Sequence, residues 1–256
     1  MIKKIIAKKE FSDLPKGDVE RIYENFEKRQ TSDEDKIKLT RDLLRKVYSV
    51  FSSGKLFNKK VIDKKSPDEI LKKHISTRER YDFYSIIYGK VFDRFEQREI
   101  SVIDLGAGVN AFSNMFFPAN KDVNYTGVEA VGQLVDLSNY FFKKYKIKNA
   151  KMIHESLYET EKIKQIILGE KKPKIIFLFK VLDGLEMAEK NYSKKFLKEV
   201  APLVNLVVVS FATRSLISGK KFNVKRYWFE NFVNENFDVL DDFEVGGERY
   251  IFFRKR

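Results

Sequence analysis

The 256-residue chain contains no cysteine and only two histidines, His74 and His154. Without cysteine there is no disulfide and no Cys₄ zinc site, which is typical of a protein of the reducing cytoplasm. Two histidines are too few for a histidine-based metal cluster, and we expect no metal. The missing thiol also excludes the covalent route by which methyl groups are normally transferred to C5 of pyrimidines.

Long apolar runs are absent as well. No segment approaches the roughly 20 consecutive apolar residues that a membrane-spanning helix needs. The apolar part of the first residues, 1–9, is too short for a signal peptide. The sequence also shows no internal repeat and no low-complexity linker. We therefore expect a cytoplasmic protein that makes no membrane contact, and we expect it to be a monomer.

Positive charge is in excess. The chain carries 50 lysines and arginines against 37 acidic residues, a formal charge of +13. Such a balance favours a polyanionic partner such as nucleic acid over the alternative, which is a lysine-rich compositional bias. The 43% of hydrophobic residues is ample for a core.

Residues 1 to about 98 are predicted to be helical. Capping-box patterns at Thr31–Glu34, Ser66–Glu69 and Ser76–Glu79 each precede apolar residues at helical spacing. Lysines crowd the region around the second box, where they could hold RNA phosphates or simply face solvent. These candidate RNA-binding residues are Lys59, Lys60, Lys64, Lys65, Lys72 and Lys73.

From Ile100 onward, predicted strands alternate with helices. The predicted strands are 101–105, 125–129, 150–153, 174–181, 206–211, 237–245 and 249–254, and the clearer helices are 131–146 and 192–201. Gly246-Gly247 is a hairpin signal between the last two strands. The pattern predicts an α/β protein with a Rossmann-like seven-stranded mixed sheet, the class I S-adenosylmethionine-dependent methyltransferase fold. The predicted boundaries are 1–98 for an N-terminal helical extension and 99–256 for the methyltransferase domain.

The centre of this pattern is the stretch Ser101–Asn110, in which a buried strand runs into an acid and two glycines. Gly106, Gly108 and Ala111 also fit the loose dinucleotide pattern G-x-G-x-x-G/A. Asp104 would repel a pyrophosphate, but it would attract the ammonium and the sulfonium of S-adenosyl-L-methionine. We therefore expect that cofactor here. The alternative is a plain β–α turn whose glycines serve geometry alone.

Polar side chains follow the next two strands. Glu129 ends the second strand, where it can accept both ribose hydroxyls of a nucleoside. After the third strand, Glu155 or Ser156 could meet the adenine amine while Leu157 packs on the ring. Four further residues adjoin these positions and are counted with the cofactor site: Ala107, Asn110, Ala130 and Phe179.

Two basic residues are candidates for positioning the target. Lys180 ends the apolar fourth strand, and it should face the crevice or pair with Glu186, because a buried unpaired ammonium is costly. Arg214 could grip a phosphate or guanine, or stack on a base, and it shares a basic loop with Ser215, Lys220 and Lys221. The Asp/Asn-Pro-Pro-aromatic loop of exocyclic-amine methylation is missing after the fourth strand, which argues against adenine N6 as the target.

Five segments together resemble the aminoglycoside-resistance methyltransferases (Arm/Rmt group) that modify guanine N7 in the decoding site of 16S ribosomal RNA. They are His74–Arg80, Val102–Asn110, Leu178–Leu182 with Leu185 and Glu186, Val209–Leu216 and Gly247–Ile251, in that order over residues 70–256. The resemblance implies that residues of the first segment contact the methionine end of the cofactor, with Arg78 on its carboxylate: His74, Ser76, Thr77 and Arg78. In that family a basic helical extension, here residues 1–70, docks on the small ribosomal subunit.

The resemblance therefore implies an S-adenosyl-L-methionine-dependent rRNA methyltransferase that releases S-adenosyl-L-homocysteine and can confer aminoglycoside resistance. N7 carries a free lone pair, so catalysis needs in-line positioning by Lys180 and Arg214 rather than a general base. Three alternatives remain open. They are a methyltransferase for another rRNA or tRNA site, a small-molecule methyltransferase, and a non-catalytic RNA-binding assembly factor.

Overall fold

The structure is a computed structural model that describes residues 1–48, 59–214 and 226–256, with backbone only at residues 59–61, 75 and 76. Seven α-helices precede the sheet in this part of the chain: α1 Ile2–Ile6, α2 Lys16–Glu27, α3 Asp33–Val47, α4 Lys59–Lys64, α5 Pro67–Lys73, α6 Ile75–Arg80 and α7 Tyr84–Phe92. None of the described helices has the length and apolar character required to cross a bilayer.

The three predicted capping boxes have three different outcomes. The box at Ser66 and Glu69 is confirmed at the start of α5, since each residue's side chain accepts from the other's backbone N–H. At α3 the prediction was one residue early, because Ser32 is the N-cap and accepts from the N–H of Asp35. The prediction at Ser76 was wrong: the chain turns directly from α5 into α6 at His74, so Ser76 lies inside the helix.

The sheet has seven strands: β1 Glu99–Leu105, β2 Asp122–Glu129, β3 Ala150–His154, β4 Lys174–Phe179, β5 Leu206–Ala212, β6 Phe237–Val245 and β7 Glu248–Lys255. Their order is β3-β2-β1-β4-β5-β7-β6. The first five strands are parallel, and β7 runs antiparallel between β5 and β6. This is the predicted class I methyltransferase fold. The turn between β6 and β7 uses Gly246 and Gly247 at positive φ, as the hairpin signal indicated.

Helices cover both faces of the sheet. After β2 the described helices are α8 Gly132–Lys144, α9 Thr160–Gly169, α10 Leu182–Ala188, α11 Tyr192–Val200 and α12 Tyr227–Asn236. Alternate residues of β1 point to opposite faces, so Val102 and Ile103 belong to separate hydrophobic clusters. The β4 strand ends two residues before the predicted Val181, because Lys180 takes a left-handed φ of 61°.

The N-terminal helices share a hydrophobic core with the sheet. Ile22 of α2 and Leu44 of α3 belong to the same buried cluster as Val102 of β1. Tyr84, Tyr88 and Phe92 form one buried face of α7, as their i, i+4 spacing predicts, and Tyr88 stacks on Phe177 of β4. The change from helices to strands falls at Glu99, but the two parts are not packed as separate units.

Candidate cofactor site

A cavity of about 250 Å³ opens at the carboxyl ends of β1, β2 and β4. The chain order reverses between β1 and β4, so this is the topological switch point at which doubly wound sheets bind ligands. The walls come from the β1 turn, the ends of β2 and β4, the residues after β3, and helices α2, α3, α6 and α10.

The turn after β1 is fixed to the end of β2. Gly106 and Gly108 have φ values of 72° and 53°, which a residue with a side chain adopts only at a cost. The Glu129 carboxylate accepts from the N–H groups of Gly108 and Val131, both at 2.9 Å. Burial raises the pKa of Glu129, and these two hydrogen bonds oppose the rise. An acid is therefore held rigidly beside the glycine turn.

Asp104 forms a second acidic point in the wall and is almost fully buried. It accepts from the side-chain amide of Asn110 at 2.7 Å and from the hydroxyl of Tyr125 at 2.8 Å. Burial raises its pKa, and both hydrogen bonds oppose this effect. Asn110 is thereby oriented so that its carbonyl oxygen accepts from Arg80 at 2.9 Å.

A buried ion-pair network lies on the other side of the cavity. Arg80 donates to Glu248 at 2.8 Å and to the hydroxyl of Tyr250 at 3.1 Å, and its side chain is 2% exposed. The ammonium of Lys180 lies 2.7 Å from Glu79 and 3.3 Å from Glu248. Lys180 thus faces the cavity, as expected, and pairs with these two acids.

The alternative partner predicted for Lys180 is used elsewhere. Both carboxylate oxygens of Glu186 accept from the backbone, at the N–H groups of Asn191 and Ser193.

His74 also lies in the wall, where burial, assisted by the charges of Arg80 and Lys180, lowers its pKa to about 4. Arg80 and Lys180 therefore carry positive charge on this side of the cavity, with His74 neutral at physiological pH.

The structure brings most of the predicted cofactor residues to this one cavity. Its lining includes His74, Thr77, Asp104, Gly106, Ala107, Gly108, Asn110, Glu129, Ala130, Leu157, Phe179 and Lys180. Arg78 and Glu155 are not in the lining: Arg78 is exposed, and Glu155 accepts from the N–H of Ser156 and pairs with Lys162. Ser156 is buried behind the lining, and the side chain of Ser76 lies outside the described residues.

The sequence pattern did not single out the contribution of the N-terminal helices. Asp18 of α2, and Lys46, Val47 and Tyr48 at the end of α3, all line the cavity. Asp18 is 2% exposed and accepts from the hydroxyls of Ser156 and Tyr48. No local signal marks Asp18, because its role depends on a contact with a residue 138 positions away.

The candidate RNA-binding residues lie outside the cavity. Lys64, Lys72 and Lys73 are exposed, Lys65 is half-buried, and the ammonium of Lys72 lies 4.3 Å from the ring centre of Tyr81. Arg214 is exposed beside the β6–β7 hairpin and is not in the cavity lining. Ser215, Lys220 and Lys221 lie outside the described residues, as do the side chains of Lys59 and Lys60.

The sequence matches no protein-family model, and comparison with the curated proteins finds no match. The fold resembles solved structures over its whole length. The 16S rRNA methylase RmtB has a TM-score of 0.72 at 18% identity, covering 100% of this chain and 97% of that one. The 16S rRNA methyltransferase RmtF in complex with S-adenosyl-L-homocysteine has a TM-score of 0.75 at 19% identity, covering 100% of this chain and 96% of that one. An rRNA methylase from Escherichia coli has a TM-score of 0.67 at 19% identity, covering 100% of this chain and 98% of that one. The shared fold thus includes the N-terminal helices.

Proposed function

We propose that this chain is an S-adenosyl-L-methionine-dependent methyltransferase that acts on guanine N7 in the decoding site of small-subunit ribosomal RNA. The observation that carries the proposal is the cavity at the switch point, where a glycine turn is clamped by Glu129 and faced by Arg80 and Lys180. The full-length likeness to 16S rRNA methylases, N-terminal helices included, supports the RNA substrate.

The wall residues fit the cofactor's polar groups. Each oxygen of Glu129 accepts one backbone N–H and keeps further lone-pair capacity for the ribose hydroxyls. Asp104 places negative charge near the turn, where it would attract the ammonium and sulfonium. When bound, the cofactor supplies an electrophilic methyl group on that sulfonium.

For the methionine carboxylate we propose Arg80 in place of Arg78. Arg80 lies in the wall, and its guanidinium is held there by Tyr250, Asn110 and Glu248. Arg78 is exposed and outside the lining. This assignment keeps the carboxylate contact that the segment His74–Arg80 implies, but gives it to Arg80, two residues after Arg78.

Guanine N7 suits a site built in this way. The N7 lone pair attacks the methyl carbon directly and no proton has to leave, so the site has only to hold the two atoms in line. Lys180, held by Glu79 and Glu248 in the cavity wall, would position the flipped base. Arg214 at the hairpin and the exposed lysines of α4 and α5 would hold RNA phosphates.

The decisive experiment is to incubate small ribosomal subunits with the protein and S-adenosyl-L-methionine carrying a labelled methyl group. Mass mapping of the RNA fragments should then find one new 7-methylguanosine in the decoding region of 16S rRNA. Protein-free 16S rRNA is the control for recognition of the assembled subunit. The docking role of the lysines also predicts that subunit affinity falls steeply as salt is raised.

Each other outcome identifies a different function. Label in transfer RNA or at another ribosomal nucleotide would contradict the decoding-site target while keeping the reaction class. Binding of S-adenosyl-L-homocysteine without any transfer to RNA would favour a small-molecule substrate. Failure to bind the cofactor at all, with subunit binding intact, would favour a non-catalytic assembly factor.

A further inference from the structure

Asp18 is a buried acid of the N-terminal extension that the reaction described above does not use. It lies in the first turn of α2 and lines the cavity, while α2 itself belongs to the part of the chain expected to dock on RNA. The hydroxyl of Ser156 donates to one of its oxygens and that of Tyr48 to the other. A carboxylate accepts about four hydrogen bonds, so Asp18 retains acceptor capacity.

The sheet order places Asp18 at the nucleoside end of the cavity. The strands run β3-β2-β1-β4, and Arg80 and Lys180 lie on the β1–β4 side. Glu129, at the end of β2, is the proposed ribose acceptor, so a base attached to that ribose would extend toward the end of β3. Ser156 lies two residues past the end of β3 and donates to Asp18, which puts Asp18 at the end of the cavity that the base would occupy.

The other acids near the cavity are committed elsewhere. Among the residues that the structure describes, four carboxylates line it: Asp18, Asp104, Glu129 and Asp183. Asp104 accepts from Asn110 and Tyr125, and Asp183 forms a bidentate pair with Arg226 at 2.7 and 3.1 Å beyond β4. Glu155, the acid predicted for the adenine amine, pairs with Lys162 outside the lining.

We infer that Asp18 accepts a hydrogen bond from the exocyclic amine of the cofactor's adenine, so that a residue of the N-terminal extension selects the base of the nucleoside. The inference rests on the proposed use of S-adenosyl-L-methionine. Ser156 and Tyr48 are positioning residues in this arrangement, since they hold the carboxylate by its two oxygens. A base with a carbonyl in place of the amine would present an acceptor to an acceptor and be rejected.

The test compares two ligands by calorimetric titration of the full chain. The probes are S-adenosyl-L-homocysteine and S-inosyl-L-homocysteine, which differ in the amine that hypoxanthine lacks. Wild-type protein should bind the adenosyl compound at least about tenfold more tightly, the range for a hydrogen bond to a charged group. Asp18→Asn, whose amide can present either a carbonyl or an NH₂ group, should reduce this ratio by about tenfold.

Glu20→Gln is the matched control, because Glu20 lies on the same helix with its side chain 43% exposed and paired with Lys16. It should keep the wild-type ratio. A purely structural role for Asp18 would weaken both ligands equally and leave the ratio unchanged, which would overturn the inference.

The wild-type measurement is decisive by itself if Asp18→Asn does not fold. Equal affinity of the wild-type protein for the two ligands would overturn the assignment of Asp18. If the wild-type protein binds neither ligand, the proposed cofactor is wrong, and the adenine contact is overturned together with it. If the protein binds S-adenosyl-L-homocysteine but the ratio of the two affinities is the same in wild type and Asp18→Asn, only the adenine contact is refuted.

Discussion

Replacing Glu248 by glutamine should destabilise the protein by about 3–5 kcal/mol at neutral pH, the usual cost of breaking a buried ion pair. The side chains of Glu248 and Arg80 are 1% and 2% exposed, and they meet at 2.8 Å. Lys180 lies 3.3 Å from the same carboxylate, and the hydroxyl of Ser210 donates to it. The substitution keeps the shape but leaves Arg80 buried without its counter-charge.

The loss of stability caused by Glu248→Gln should depend on pH in a defined direction. Burial works to raise the pKa of Glu248, but the charges of Arg80 and Lys180 outweigh it and lower the pKa below its ordinary value of 4.5. An acid with a lowered folded-state pKa stabilises the protein above its unfolded-state pKa, and this contribution is lost as the pH falls through the folded-state value. The difference between wild type and Glu248→Gln should therefore be largest near neutrality and shrink below pH 4.5.

Urea unfolding at a series of pH values measures this difference. Asp238→Asn is the control, because Asp238 pairs with Arg254 and Arg256 only at 3.8 and 3.7 Å and is half exposed. Asp238→Asn should lower the free energy of unfolding by no more than about 1 kcal/mol. The reasoning is refuted if Glu248→Gln costs no more than the control at neutral pH, or if its cost is the same at acid pH.

Three further predictions concern the cavity. Gly106→Ala should lower stability by at least about 1–2 kcal/mol in thermal unfolding, because φ is 72° and the new Cβ would lie 2.7 Å from Val181; Gly169→Ala, with nothing within 4 Å, should not. Burial and two neighbouring cations lower the pKa of His74 to about 4, so this side chain should not titrate between about pH 6 and 8. His74→Asn should therefore leave the pH profile of S-adenosyl-L-homocysteine affinity unchanged in that range. A titration step that is present in wild type and lost in the variant would contradict this. Arg214→Ala should abolish methylation of subunits but spare affinity for S-adenosyl-L-homocysteine; an equal loss in calorimetry would place Arg214 in the cofactor site.

The sheet and its glycine turn were predictable because their signals are local. A strand such as β4 is marked by a run of apolar residues, and Gly106 and Gly108 mark a turn that needs positive φ. The parallel order then follows from the alternation of strands and helices, which brings Glu129 to the same edge as the turn. The predicted acid at the end of β2 does line the cavity.

Side-chain pairing was predicted poorly where the partners are distant in sequence. The pattern around Ser76 favoured a helix start there, but the chain enters α6 at His74, and Arg80 rather than Arg78 reaches the wall. The pairing of Lys180 depends on Glu79 and Glu248, which lie on other elements. Glu186, close in sequence, is occupied by backbone N–H groups.

The sequence alone thus determined the class of fold and the edge of the sheet at which the cavity opens, because hydrophobic periodicity and glycine geometry are properties of neighbouring residues. Only the tertiary structure decided which charged groups face the cavity. Asp18 meets Ser156 across 138 residues, and Arg80 meets Glu248 across 168, because helices packed on the sheet bring those side chains together. Burial then makes each such pairing energetically decisive, and burial is a property of the packed chain.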